Sequence, residues 1–371
     1  MKKSLHVISF DVPFPANYGG VIDIYFKLKW LHKLGVNIIL HCFKYGRDEQ
    51  SELNKICTKV IYYNRSKYVN PFIGDMPYIV KTRNNEALLD NLLLDKHPIL
   101  FEGIHSTYFL NHPKLKNRFK MVRTHNIEHE YYKNLELVES NYFKKYFFRN
   151  ESDNLKMYEK KLKHAQCLLS ISYNDYLHYK GKGFNTELVS AFHGNDQVNI
   201  KSGIGKFILY HGNLSVGENN FAAIHLVNHV FKYLQIPIII AGNNPSKELQ
   251  KLCSMYQHIS LKDDWDNHTI NNAISEAQIN VLFTFQGTGI KLKLLNALYS
   301  GKHCVVNNKM IENTGLEALC HLSETDEMCI QQINLLWQKE FSNEDIKARE
   351  KILNEKGFSN LHNAKIIVDL I

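Results

Sequence analysis

The sequence has no run approaching the ~18 apolar residues that a membrane-crossing helix requires. It has no Cys-x-x-Cys pair. Its seven cysteines, Cys42, Cys57, Cys167, Cys253, Cys304, Cys320 and Cys329, are odd in number and lie mostly in apolar runs. That usage implies buried free thiols in a reducing cytoplasm. There is no short-period repeat and no low-complexity segment. With 44% hydrophobic and 22% charged residues, the composition excludes disorder, collagen and coiled coil as overall classes. Acidic residues are the minority charge: 37 Asp+Glu against 45 Lys+Arg leave a net +8. A basic surplus suits an anionic partner, whether nucleotide, phospholipid surface or nucleic acid.

What is present is length and alternation. The 371 residues exceed one ordinary core and fit two domains of ~150–200 residues. Lys2 and Lys3 before a short apolar run imitate a signal peptide. The run is interrupted by His6, ends at Asp11 and lacks a small-residue cleavage site, so it reads as the first strand. Strands are expected at 5–10, 36–43, 58–62, 99–102, 120–125, 167–172 and 186–190, with helices at 21–34 and 154–164. The Gly-, Asn- and Ser-rich stretch 191–205 reads as an interdomain linker. The pattern then restarts, with strands at 206–211, 236–241, 279–285 and 303–307 and helices at 219–233 and 290–300. Residues 326–356 read as helical, and 361–371 as a separate amphipathic run after Gly357. The expected class is α/β, with two Rossmann-like domains facing a cleft. The domains are 1–195 and 203–356, and 357–371 forms a final helix. Ligands of such sheets bind at the carboxyl ends of the strands.

Five segments carry candidate chemistry. The first loop, residues 11–20, ends in Gly19 and Gly20, where a strand gives way to a helix. It is neither G-x-G-x-x-G nor a Walker A loop, yet glycines there let backbone N–H groups approach an anion. His105 ends another strand after Gly103, where it could hydrogen-bond a hydroxyl or act in acid–base work. His125-Asn126-Ile127-Glu128-His129 formally matches an inverted zinc-protease motif. Because His125 closes a strand, the two histidines would not share a helical turn, and His125 and Asn126 read instead as cleft-facing. Residues 141–149 interleave aromatics with bases, as a membrane-interface patch, a nucleic-acid surface or an ordinary amphipathic helix would. In residues 283–306 a strand feeds a Gly-rich turn and then a helix. Lys291 and Lys293 sit in its first turn, where cations oppose the dipole and so hint at an anion. Gly289, Lys293, Asn296 and Ser300 share one stripe.

At these residues the chain resembles nucleotide-sugar glycosyltransferases of the GT-B fold, family 4-like, over nearly its whole length. The matching motifs are Pro13-x-Pro15-x-Asn17-Tyr18-Gly19-Gly20, Arg123-Thr124-His125-Asn126-Ile127-Glu128, His211-Gly212-Asn213-Leu214-Ser215, and Gly289-Ile290-Lys291-x-Lys293-x-x-Asn296-Ala297-Leu298 with Gly301. The resemblance implies that Gly19 and Gly20 approach a donor diphosphate, and that His105 attends the transferred sugar. It further implies that Gly212, Asn213, Thr288, Gly289, Ile290 and Lys291 line the donor site, that Lys293 holds the diphosphate and that Asn296 reaches the ribose. His125 and Asn126 fall on the acceptor side. Thr288 and Asn296 stand where many members carry two Glu, and Val216-Gly217-Glu218-Asn219 stands where a basic residue is often found.

The implied activity is transfer of a sugar from a nucleotide-diphosphate donor to a saccharide or lipid-linked saccharide acceptor in cell-surface polysaccharide synthesis. The configuration would be retained, with no metal and no cofactor beyond the donor. The implied setting is cytoplasmic, with peripheral contact at the inner membrane face and no nucleic-acid partner. The final helix would cross back onto the N-terminal domain. The two departures leave open a catalytically silent nucleotide-sugar-binding protein. A sugar-nucleotide epimerase or hydrolase of the same fold is a further alternative.

Overall fold

Short runs that bury nearly every residue become strands of parallel sheets, as expected where both sheet faces are covered by helices. The computed structural model describes residues 2–66, 69–139, 141–285, 292–312 and 314–371. The chain divides into two units, Met1–Phe192 with Asn360–Ile371, and His193–Ser359. In the first unit the strands are β1 (Ser4–Ser9), β2 (Asn37–Lys44), β3 (Lys59–Asn64), β4 (Ile99–Glu102), β5 (Lys120–Thr124), β6 (Cys167–Ser170) and β7 (Thr186–Leu188). They pair in the order β3-β2-β1-β4-β5-β6-β7, all parallel. In the second unit β8 (Ile208–His211), β9 (Ile238–Ala241), β10 (Ile259–Lys262), β11 (Ile279–Leu282), β12 (His303–Val306) and β13 (His321–Leu322) pair as β10-β9-β8-β11-β12-β13. Parallel pairing places every strand's carboxyl end on one edge of its sheet, and the candidates His105, His125 and Gly212 follow such ends.

The helices of the first unit are α1 (Gly19–Lys33), α2 (Tyr78–Lys81), α3 (Glu86–Leu92), α4 (Glu128–Val138), α5 (Tyr142–Tyr158) and α6 (Tyr173–Gly181). Those of the second are α7 (Gly217–His229), α8 (Lys247–Ser254), α9 (Asn267–Glu276), α10 (Leu292–Ser300), α11 (Asn308–Ile311), α12 (Asp326–Trp337) and α13 (Asn343–Glu355); α14 (Asn360–Leu370) returns to the first. On α1, Val21, Ile24, Leu28 and Leu31 form one buried stripe. Ala364 and Ile367 of α14 join the same core as Ile24, Leu28 and Leu31.

The structure revises several sequence expectations. Helix 154–164 is the tail of α5 plus a 3₁₀ turn, and the aromatic-basic segment forms the first half of that helix. The helical region 326–356 is interrupted before Ser342, whose side chain and Asp345 form a reciprocal capping box that starts α13. Strands β10 and β13 were not anticipated. Both are sheet edges; β10 buries only Ile259 fully, and β13 has just two half-buried residues, too little to register as a pattern. The stretch read as a linker is laid onto the second unit: Asn199 N donates to Tyr299 O at 2.8 Å, and Gly203 bridges to Phe341. A Cβ on Gly205 would collide with the backbone of Gln278, so close packing explains that glycine.

Candidate functional site

The carboxyl ends of β1, β4 and β5 bring three candidate residues around the ring of Phe10. The His105 ring lies 5.1 Å from it and His125 meets it edge-on at 5.5 Å. A Cβ on Gly20 would stand 2.7 Å from its Cζ, so Gly20 is set by packing as well as by backbone freedom. Gly19 is exposed at the first position of α1. That helix start has no side-chain cap and no acid in its first turn, which leaves it open to an anion.

His105 has a buried Nδ1 with no hydrogen-bond partner. Burial, and then the nearby Arg83, His125 and Arg65, hold its imidazole well below the usual histidine range. A neutral ring favours hydrogen bonding to a hydroxyl over service as a cationic acid. His125 Nε2 lies 3.3 Å from Glu102 Oε2. The Asn126 backbone carbonyl accepts from Tyr179 Oη at 3.3 Å, and its side chain bonds Glu128. His129 instead contacts Glu159, at 3.2 Å, so the two histidines of the motif serve different carboxylates.

Beneath these groups lies a buried charge network. Asp23 accepts from Lys27 Nζ at 2.8 Å, from Arg123 Nη2 at 2.8 Å and from Phe192 N at 2.8 Å. Lys27 Nζ also reaches Glu102 Oε2 at 2.9 Å. Burial alone would raise the Asp23 carboxyl, but Arg123 and Lys27 outweigh it and hold the group well below the carboxylate range. One ligand atom each from Asp23, Glu102 and His125 lies within 4.8 Å of the others. Lys27 and Arg123 already supply the positive charge that an ion would bring there. Glu128 and Asp175, close to the ends of β5 and β6, are pushed up to about 8 and about 7, chiefly by burial. Of these acids the sequence analysis singled out Glu128 alone, as part of the His125–His129 motif; Asp23, Glu102 and Asp175 did not stand out. The available signal was charge inside apolar patterns, with Asp23 and Lys27 interrupting the α1 stripe and Arg123 lying in a buried strand.

In the second unit, Gly212, Asn213 and Lys293 come together through Asn219. Lys293 Nζ donates to Asn219 Oδ1 at 3.1 Å, and Asn219 Nδ2 donates to the Asn213 carbonyl at 3.0 Å. A Cβ on Gly212 would lie 3.1 Å from Asn219 Cγ. Lys293 also lies 5.8 Å from the centre of the Tyr210 ring. Glu218, where a basic residue was looked for, accepts from the Thr284 hydroxyl. Asn296 does not join this group. Its Nδ2 donates to Asn271 Oδ1 at 2.8 Å and its Oδ1 accepts from Asn195 at 3.2 Å. Thr288, Gly289, Ile290 and Lys291 lie outside the described residues. An open hollow of about 380 Å³ occurs at the amino ends of β8, β9 and β10, lined by Lys206, Pro237 and His258. It lies at the opposite edge of the sheet from Lys293.

Two parallel α/β units with this topology define the GT-B fold, and solved structures of that fold match the chain along its length. A glycosyltransferase from Rickettsia africae is similar with a TM-score of 0.64 at 14% identity, covering 100% of this chain and 98% of that one. The lipopolysaccharide outer core galactosyltransferase WaaB gives 0.63 at 13%, covering 98% and 99%. MurG of Acinetobacter baumannii gives 0.56 at 11%, covering 100% and 99%. No protein-family model matches the chain. In sequence it is 27% identical over 341 residues to an uncharacterized 44.6 kDa protein in the cps region of Klebsiella pneumoniae, covering 83% of this chain and 84% of that one.

Proposed function

We propose that the protein is a glycosyltransferase that moves a sugar from a nucleotide-diphosphate donor to a saccharide or lipid-linked saccharide acceptor in cell-surface polysaccharide synthesis. The observation that carries this reading is Lys293, tied through Asn219 to the turn after β8 at the carboxyl edge of a GT-B sheet. The cps-region relative and the transferases among the fold neighbours agree with it. The costly event in such a reaction is departure of a nucleoside diphosphate. Lys293 offers positive charge for it without a metal. The sugar's configuration is retained, as the family resemblance implies, and because the leaving phosphate can take the acceptor's proton no strong base is needed. His105, held neutral, hydrogen-bonds a hydroxyl of the transferred sugar, while His125 and Asn126 face the acceptor.

The reading includes a cytoplasmic enzyme at the inner membrane face, with no nucleic-acid partner. It is supported by one exposed patch. Phe143 is 81% and Tyr142 78% exposed, Phe72 and Tyr146 touch at 5.4 Å beside exposed Ile73, and Lys144 is exposed among them. Rings and a cation in that mixture suit an anionic lipid interface.

The test is thermal stability with UDP, GDP, ADP and CMP. One of them should raise the melting point. Lys293→Ala should weaken that nucleotide by about tenfold or more, the scale of one charge-assisted hydrogen bond. Unchanged affinity would remove Lys293 from the site. Asn296 favours a second reading, a binding protein without turnover, because both ends of its amide are already engaged. Nucleotide binding with no transfer to any of a broad acceptor panel would select it.

A further inference from the structure

Among the described residues, three cationic side chains at the carboxyl edge of the first sheet lack an acid partner. Arg83 is only 3% exposed. Its Nε and Nη2 donate to the Phe10 carbonyl at 3.3 and 2.9 Å, and its Nη1 to the Ile79 carbonyl. Arg65 donates through Nη2 to Thr82 Oγ1 at 2.9 Å, one residue from Arg83, and stacks 4.0 Å over the Tyr45 ring. Its Nε is buried and unpartnered, as is Nε of Arg47. Among the described residues, no carboxylate lies within ion-pair distance of Arg47, Arg65 or Arg83. The neighbouring acid, Asp11, is already engaged by Val12 N at 2.8 Å and by the Tyr18 hydroxyl at 2.7 Å.

A buried guanidinium satisfied only by neutral carbonyls keeps its charge uncompensated, and a second guanidinium beside it adds repulsion. Burial and then Arg65 push Arg83 down to about 9. His105 lies beside the pair, since Phe10 gives its carbonyl to Arg83 and its ring to His105. Neutral sugar hydroxyls would leave this charge unmet. An oxyanion would meet it, with the planar guanidinium of Arg65 matching two of its oxygens.

We propose that Arg65 and Arg83, beside His105, form an anion-binding cradle on the first unit that takes the phosphate or carboxylate group of an acidic acceptor. The word acceptor rests on the glycosyltransferase reading, whereas the anion site does not. The cradle is therefore tested by binding alone, on the full chain carrying Lys293→Ala so that the second unit's lysine is not the cause. Inorganic pyrophosphate stands for a phosphate-linked acceptor and glucuronate for an acidic sugar. One of the two should raise the melting point in a dose-dependent, salt-sensitive way, and the one that does assigns the source. Adding Arg65→Gln should weaken that anion about tenfold or more, with Arg65→Lys intermediate. Arg65 is only half-buried, so this test stands even if substitution of Arg83 prevents folding. If neither anion stabilises the chain, or if Arg65→Gln leaves the affinity unchanged, the cradle is wrong. Absence of nucleotide binding in the unsubstituted chain, with the anion response intact, would instead count against the glycosyltransferase reading.

Discussion

At the scale of single residues, the structure places charge where the hydrophobic pattern predicts core. Asp23 and Glu102 face Lys27 and Arg123 in a network closed to solvent, so removing one member strands the others. Asp23→Ala should cost about 3–5 kcal/mol of stability, measured by denaturant unfolding, because two buried cations would share one carboxylate. Glu128 gives a prediction with a definite pH dependence. Its folded value of about 8 lies above the ordinary 4.5, so the folded state holds a proton that the unfolded chain releases. That contribution is complete below about pH 4.5 and is lost as pH rises toward 8. Glu128→Gln keeps the neutral form at every pH, so its stability relative to the unsubstituted protein should improve steadily from pH 5 to pH 8. A difference that stays flat across that range would contradict the burial of an acid there. Such residues were hard to read in the sequence because partners such as Asp23 and Arg123 are distant along the chain. A charge inside an apolar run shows that something must satisfy it, without showing what.

At the scale of elements, the strand-to-loop junctions fix the site. A Cβ at Gly242, after β9, would collide with the carbonyl of Gly212, after β8. Gly242→Ala should therefore displace the Gly212 and Asn213 turn. The expected outcome is weaker nucleotide affinity together with a lower melting point, checked by calorimetry and binding on the same sample; full affinity would detach that turn from the donor. Most strands were legible from sequence because each is a run of consecutive apolar residues buried on both faces, as in Ile99–Glu102. The edge strands β10 and β13 were not, since partial burial over two to four residues leaves too little pattern. Among the candidate residues, the glycines, His105, His125 and Lys293 could be picked out because turn chemistry and strand ends mark them. Asn219, Arg65 and Arg83 could not, because a lone polar residue in a loop or at a helix end looks the same whether it faces solvent or a ligand.

At the scale of the whole molecule, two sheets with separate cores make two thermal transitions the natural expectation. A nucleotide that binds through Lys293 should raise only the transition of the His193–Ser359 unit. An anion in the proposed cradle should raise only the other. Calorimetry with each ligand in turn distinguishes them, and a uniform shift of both would show that the units melt as one. The net charge of +8 is not shared evenly: residues 1–192 and 360–371 carry 30 Lys+Arg against 20 Asp+Glu, whereas residues 193–359 carry 15 against 17.

The return of α14 to the first unit has a consequence for biosynthesis. Ala364 and Ile367 complete a core begun by Ile24, Leu28 and Leu31, yet they are translated only after the entire second unit. The first domain to leave the ribosome is thus the last to be finished, and it waits with an apolar strip of α1 uncovered. A nascent chain stalled before residue 360 should accordingly recruit chaperones at its amino-terminal half, and release should begin once the final helix has emerged.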